Sequence, residues 1–242
     1  MKLHSQSSRR SFARLLILFG IVIVGVVIVG TAFGSAHATQ TPSSRRARTR
    51  AVAADALSAP VKTFGSPTAP ITMEVFSDYE CPSCRAFFEQ TLRPMMNDYV
   101  AAGKVYLVQR DFPLPMHPYS HQAARWANAA AEIGKFEEVD SALFDNQNAW
   151  SADGNMVKYV AGAMSAADFK RVEKIMQGCE PQATSGCAVD AWISSDVALG
   201  NQVPVRATPT YVISYKGRRL DPGSGVVSWP LLKQFFNSLM AQ

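Results

Sequence analysis

The sequence predicts an α/β domain laid out as β-α-β, a block of helices, then β-β-α. Three observations carry this. Ile71 to Phe76 (ITMEVF) is an apolar, β-branched run between Pro70 and the polar Ser77-Asp78, the pattern of a buried strand. Phe88, Leu92, Met95 and Tyr99 then recur at three- and four-residue spacing, so a helix follows, and Lys104 to Arg110 (KVYLVQR) reads as a second strand. Thr210 to Tyr215 (TYVISY), the turn Lys216-Gly217 and Arg218 to Leu220 form a hairpin.

The elements follow in order along the chain. Leu15 to Phe33 holds 19 residues without a charge, long enough to cross a bilayer as a helix. Lys2, Arg9, Arg10 and Arg14 precede it and favour an N-terminus left in the cytoplasm. Residues 1–38 are either a signal peptide cleaved after Ala36-His37-Ala38 or a retained transmembrane anchor. The length favours the anchor, since signal cores run about 7–15 residues. Ser8-Arg9-Arg10-Ser11-Phe12 also resembles a twin-arginine export signal. In each version the rest of the chain lies in an oxidising space outside the cytoplasm. Residues 39–60 are rich in Ala, Ser, Thr, Arg and Pro, with Val52 and Leu57 as their only large aliphatics, and read as a flexible linker. The domain proper spans 61–242.

The formal net charge of +5 points away from nucleic acid once it is located. The first four basic residues are all in the leader, and Arg45, Arg46, Arg48 and Arg50 crowd the linker. The folded part is slightly acidic, which argues against a polyanion partner.

Within the domain, strand, helix and strand imply a right-handed crossover and a parallel pair. Pro94 is expected to kink the helix about a turn upstream, and Gly103 to end it. An alanine-rich stretch of about 115–202 is helical. Ser165 with Asp168 resembles a capping box ahead of Phe169, Val172, Ile175 and Met176, and Val189, Ile193 and Val197 mark a further helix. Ser228 is placed to cap a final helix, with Pro230 in its first turn and Leu232, Phe235, Phe236 and Leu239 inward.

Cys81 and Cys84 sit where the first strand meets its helix. A thiolate there faces unsatisfied backbone N–H groups and the positive end of the helix dipole. Both favour S⁻ and make Cys81 a good nucleophile and leaving group. Cys84 lies on the same helical face and can resolve a mixed disulfide. A structural staple is disfavoured because so small a ring removes little entropy from the unfolded chain. A zinc site would need Cys179 and Cys187 as further ligands and a knuckle rather than a strand–helix junction, so redox use is preferred and no metal is expected. Ala207-Thr208-Pro209-Thr210 precedes the TYVISY strand, and proline belongs at such a first position.

Cys81-Pro82-Ser83-Cys84 after a strand, Thr208-Pro209 before a hairpin, and a helical block between the halves resemble the thioredoxin superfamily. Phe76-Ser77-Asp78-Tyr79-Glu80-Cys81-Pro82, Arg110-Asp111-Phe112-Pro113-Leu114 and Gly134-Lys135-Phe136 resemble its DsbA-like branch, over roughly Val61 to Gln242. The resemblance implies a thioredoxin fold with a helical insertion. It implies a protein-disulfide oxidoreductase of a periplasm-like envelope, tethered to the inner membrane by residues 15–33 or freed by cleavage near Ala38. Cys81 is the attacking and receiving sulfur and Cys84 the resolving one, with Pro82 and Ser83 tuning their poise. Pro209 is a cis proline against the pair, and the Thr208 backbone pairs with an extended peptide. Substrates are reduced or unfolded exported proteins, a quinone-linked membrane oxidase of DsbB or VKOR type reoxidises the pair, and no cofactor is needed. Competing readings are a reductase or isomerase of the same fold and an envelope peptide-binding or chaperone module that leaves the thiols unused.

One position departs from the branch. Relatives often carry a buried acid six residues before the first cysteine, where this chain has Val75; its acid is Glu74. Either a bulge restores it, or Glu74 is a plain structural or surface carboxylate, the favoured reading. Cys179 and Cys187 are expected to form a second disulfide. His117 is expected to cap a helix rather than join His121 at a metal. Trp126, Trp150 and Trp192 are read as core or groove aromatics, and Met95-Met96 as core filler that also suits a peptide groove.

Overall fold

The apolar run ITMEVFS becomes the central strand because both its neighbours in the sheet come from elsewhere in the chain. The computed structural model describes residues 62–179 and 187–242. The apolar run 15–33, the Arg9-Arg10 pair, the cleavage site near Ala38 and the linker 39–60 lie outside the described residues. Among the described residues, no helix is long and apolar enough to cross a membrane.

Strands β1 (Thr63–Phe64), β2 (Ile71–Ser77), β3 (Val105–Asp111), β4 (Thr210–Tyr215) and β5 (Arg218–Arg219) are ordered β1-β3-β2-β4-β5, and β6 (Gly223–Ser224) pairs with β4. β2 is parallel to β3 and antiparallel to β4. The crossover from β2 to β3 is α1 (Pro82–Phe87), which continues without leaving helical dihedrals through a π-helical turn (Phe88–Leu92), a short α-helical stretch (Arg93–Met95) and a second π-helical turn (Met96–Val100). Pro94 thus follows a widened turn, one way a helix accommodates a missing N–H.

The helical block comprises α2 (Ser120–Ala131), α3 (Phe136–Asp145), α4 (Gln147–Trp150), α5 (Val157–Gly162), α6 (Ala166–Gln177) and α7 (Ala188–Gln202). Ser165 caps α6, its Oγ accepting from the Asp168 N–H at 3.1 Å. The chain closes with α8 (Trp229–Met240), entered through Ser228 and Pro230. Lys216 and Gly217 join β4 to β5 with positive φ at both residues (48° and 79°), the geometry a two-residue hairpin turn of this twist requires.

Both faces of β2 are covered. Ile71, Met73 and Val75 enter the main core with Phe87, Met95, Leu107, Trp150 and Phe236. Phe76 enters a smaller core with Val212 and Val203, against which Phe112 and Leu199 pack. Gly200 lets α7 reach this second face, because a Cβ there would lie 2.6 Å from the Phe112 ring.

A buried charge cluster ties the edge of the sheet to the helical block. Lys62 Nζ donates to Asp111 and, at 2.6 Å, to Asp196 of α7. Asn128 of α2 donates to Asp111 at 2.6 Å, and Arg110 bridges Asp196 and Glu74. Removing the cation leaves two carboxylates buried without it, which costs about 3–5 kcal/mol. Lys62→Met should therefore lower the urea midpoint of unfolding markedly at unchanged slope. Asp145→Asn, which breaks only the exposed Arg93–Asp145 pair, should leave it nearly unmoved.

Candidate functional site

Strand register builds the site. Phe76 of β2 lies opposite Thr210 of β4. The chain leaving β2 and the chain entering β4 therefore emerge side by side at one edge, carrying Cys81 and Pro209. Cys81 is the N-cap of α1, extended at φ −75° and ψ 120°, and Pro82 opens the helix. One turn on, the Cys84 N–H donates to the Cys81 carbonyl at 3.0 Å. Pro82 and Ser83 are exposed, whereas both cysteines are largely buried and both are free thiols. The Cys81 thiol donates to the Thr208 carbonyl oxygen at 3.5 Å. The Thr208–Pro209 peptide bond is cis, and both residues are buried.

The two sulfurs are electrostatically unequal. The hydrogen bond from the Cys84 thiol is the largest influence on Cys81; burial opposes it, and the Thr208 side chain with the N–H groups of Cys84 and Ser83 adds to it, bringing the Cys81 thiol down to about 5. Burial first, then the hydrogen bond to Cys81 and its charge, hold the Cys84 thiol well above the ordinary range. The arrangement favours a thiolate at 81 and a thiol at 84.

Around this pair the fold adds groups with no local signature. Asp78 is fully buried and accepts from Ser120 Oγ (2.5 Å), the Leu114 N–H (2.8 Å) and the Glu80 N–H (2.8 Å), and its Oδ2 is 2.7 Å from His117 Nδ1. His117 therefore does not cap α2, whose N-cap is Tyr119. Gln147 Nε2 donates to the carbonyls of Tyr79 (2.6 Å) and Cys81 (3.0 Å), holding the turn before α1. Tyr79 in turn donates to Asp140 at 2.8 Å, a carboxyl that burial lifts to about 7. Apart from the local Glu80–Asp78 bond, sequence spacing gives no hint of these contacts, which join residues 36 to 68 apart in the chain.

Glu74 stands apart from the sulfurs. The β2–β3 register runs unbroken from Ile71 to Ser77, so no bulge turns Glu74 inward, and it pairs with Arg110 at 2.9 Å. Val75 is fully buried in its place. Cys179 and Cys187 are joined by a disulfide between the end of α6 and the start of α7. Trp126 and Trp150 are buried, and Trp192 packs partly buried against the core. Met95 lies in the core rather than in a groove, and Phe235, expected inward, is 40% exposed. It helps line an apolar cavity of about 550 Å³ with Tyr211, Ile213, Val227 and Leu231. That cavity adjoins the proline loop: Gly225 donates to the Pro209 carbonyl at 2.9 Å, and Phe87 of α1 stacks on Tyr211.

Comparison with known proteins follows the same outline. A family model described as Thioredoxin matches residues 59–222. The structure of α-DsbA1 from Wolbachia pipientis superposes with a TM-score of 0.60 at 19% identity, covering 74% of this chain and 90% of that one. The thiol-disulfide exchange protein α-DsbA2 of the same organism gives 0.58 at 19% identity, over 81% and 98%. BdbD from Bacillus subtilis, oxidised, gives 0.57 at 17% identity, over 76% and 94%. Such identities speak for the fold. Among curated proteins, the Na(+)/H(+) antiporter NhaA 1 of Mycobacterium sp. strain KMS is 39% identical over 157 residues, 63% of this chain and 23% of its own length. The Na(+)/H(+) antiporter NhaA 3 of Salinispora tropica is 38% identical over 85 residues, 35% of this chain and 12% of its own length. The chain thus spans less than a quarter of the length of these relatives.

The depressed Cys81 thiol makes the reduced protein's stability pH-dependent. Its folded value of about 5 is below the ordinary 9.0, so its contribution is complete above pH 9, erodes as pH falls, and is gone below pH 5. The unfolding free energy of the reduced protein, relative to Cys81→Ser, should shrink over that window. Thiolate absorbance should rise with a midpoint near pH 5. Cys84→Ala, which removes the main hydrogen-bond donor, should move that midpoint upward.

Proposed function

Since the chain belongs to the thioredoxin family, we propose that it is an extracytoplasmic thiol–disulfide oxidoreductase that introduces disulfides into exported proteins through Cys81 and Cys84. The observation that carries this reading is the inequality of the two sulfurs beside the Thr208 carbonyl. Stabilising the Cys81 thiolate stabilises the reduced pair, which makes the corresponding disulfide a stronger oxidant.

In the oxidised state a substrate thiolate attacks Cys81 Sγ. The Cys81–Cys84 bond breaks, its electron pair passes to Cys84, and that sulfur, whose ionised form is disfavoured, takes a proton. A second substrate thiolate attacks the substrate sulfur of the mixed disulfide and releases Cys81 as a thiolate. Two electrons have then passed from the substrate to the pair. The Thr208 backbone beside Cys81 is the docking edge for an extended peptide, by strand addition. Pro82 and Ser83, exposed between the sulfurs, adjust the poise. A quinone-linked membrane oxidase of DsbB or VKOR type accepts the electrons in turn. The leader supports action in a periplasm-like envelope, with residues 15–33 as an anchor or, after cleavage near Ala38, without one. Cys179–Cys187 serves as a structural bond of the helical block.

Cys81→Ser should abolish thiol–disulfide exchange with insulin or a dithiol peptide, and Cys84→Ser should accumulate mixed disulfides at Cys81 with exported proteins in cells. Equilibration with glutathione should give a potential well above the about −270 mV of a reducing thioredoxin. A value at or below that figure would favour the reductase reading, and full activity in Cys81→Ser the peptide-binding one.

A further inference from the structure

The loop between β3 and α2 is pinned over the turn that carries Cys81. Leu114 N–H and Ser120 Oγ donate to Asp78, and the Tyr119 N–H donates to Glu80 Oε2 at 2.7 Å. Between these anchors His117 points its Nδ1 at Asp78, with a side chain only 18% exposed. Asp78 faces both sulfurs through its backbone as well. Its carbonyl accepts from the Cys81 N–H at 3.1 Å, and its own N–H donates to Cys84 Sγ at 3.4 Å.

Resting on the oxidoreductase reading above, we propose that Asp78 and His117 form a positioning pair for the redox couple, Asp78 fixing the His117 ring on the loop pinned over the Cys81 turn and setting its own backbone N–H on the Cys84 sulfur. When substrate attack breaks the disulfide, the Asp78 N–H meets the electron pair arriving on Cys84. When Cys81 is released, a proton held on His117 favours the new thiolate. Neither residue bonds to substrate.

The charges facing His117 are Asp78, Cys81 and Glu80. Burial works to lower the imidazole's affinity for its proton, and the bond to Asp78 with these three negative charges outweighs it. Cys81 carries its charge only in the reduced state, so the coupling is reciprocal. A His117 that only tied the loop to Asp78, out of reach of the sulfur, would not sense whether Cys81 is ionised.

The test is NMR titration of His117 in the full-length reduced and disulfide-bonded protein, with no substitution required. The imidazole midpoint should be higher in the reduced form. In a second arm, folded His117→Gln should raise the Cys81 thiolate midpoint by on the order of one unit, about a fivefold loss of thiolate at pH 5 and about tenfold well below it. It should shift the glutathione equilibrium toward the disulfide by a similar factor. Equal His117 midpoints in the two redox states, or an unmoved Cys81 midpoint in the folded variant, overturns the pairing. A redox-dependent His117 midpoint in a protein that exchanges no disulfides would instead sink the oxidoreductase reading and leave the pairing standing.

Discussion

The antiparallel register between β2 and β4 is the constraint on which the chemistry rests. Setting Phe76 against Thr210 fixes the separation of two loops that share no sequence signal. From that pairing, the end of β2 delivers Cys81 to the mouth of α1, and the start of β4 delivers the Thr208 carbonyl to its sulfur. A slip by one residue would turn every side chain of β4 over and carry Pro209 away. Burial on both faces of β2, by the main core and by the Phe76 cluster, makes such a slip expensive.

On that scaffold, a difference in solvation separates two chemically identical groups. Cys81 meets donors at a helix start, where S⁻ is welcome, and Cys84 lies one turn deeper, where it is not. The inequality follows from where the chain puts each sulfur.

Much of this was legible in the residues. β2, β3 and β4 fall within a residue of the runs ITMEVF, KVYLVQR and TYVISY, since buried strands announce themselves by continuous apolar, β-branched stretches. The Lys216-Gly217 turn and the Ser165 cap were equally plain, because their chemistry is local. β1 and β6, at two residues each, are too short to leave a pattern. The π-helical turns escaped because Phe88, Leu92, Met95 and Tyr99 fit an ordinary helix equally well. Phe235 was placed inward on helical periodicity, which fixes the helix face but not where a neighbouring surface stops. Of the site, the cysteine pair stands out by spacing, and Thr208-Pro209 by its resemblance to the thioredoxin superfamily. Asp78, His117, Gln147 and Asp140 did not, since their partnerships are made only when the helical block closes over the β2–α1 turn.

Lys62 has a further consequence for how the domain must be joined to whatever precedes it. Its ammonium pairs with Asp111 and Asp196 just before β1. The N-terminal side of the described domain is thus held by charge balance as well as by hydrophobic burial. A protease trimming the N-terminal side could release an intact body if it stopped short of this lysine. One residue further, it would strip the ammonium from Asp111, leave Asp196 to Arg110 alone, and make the freed domain selectively fragile.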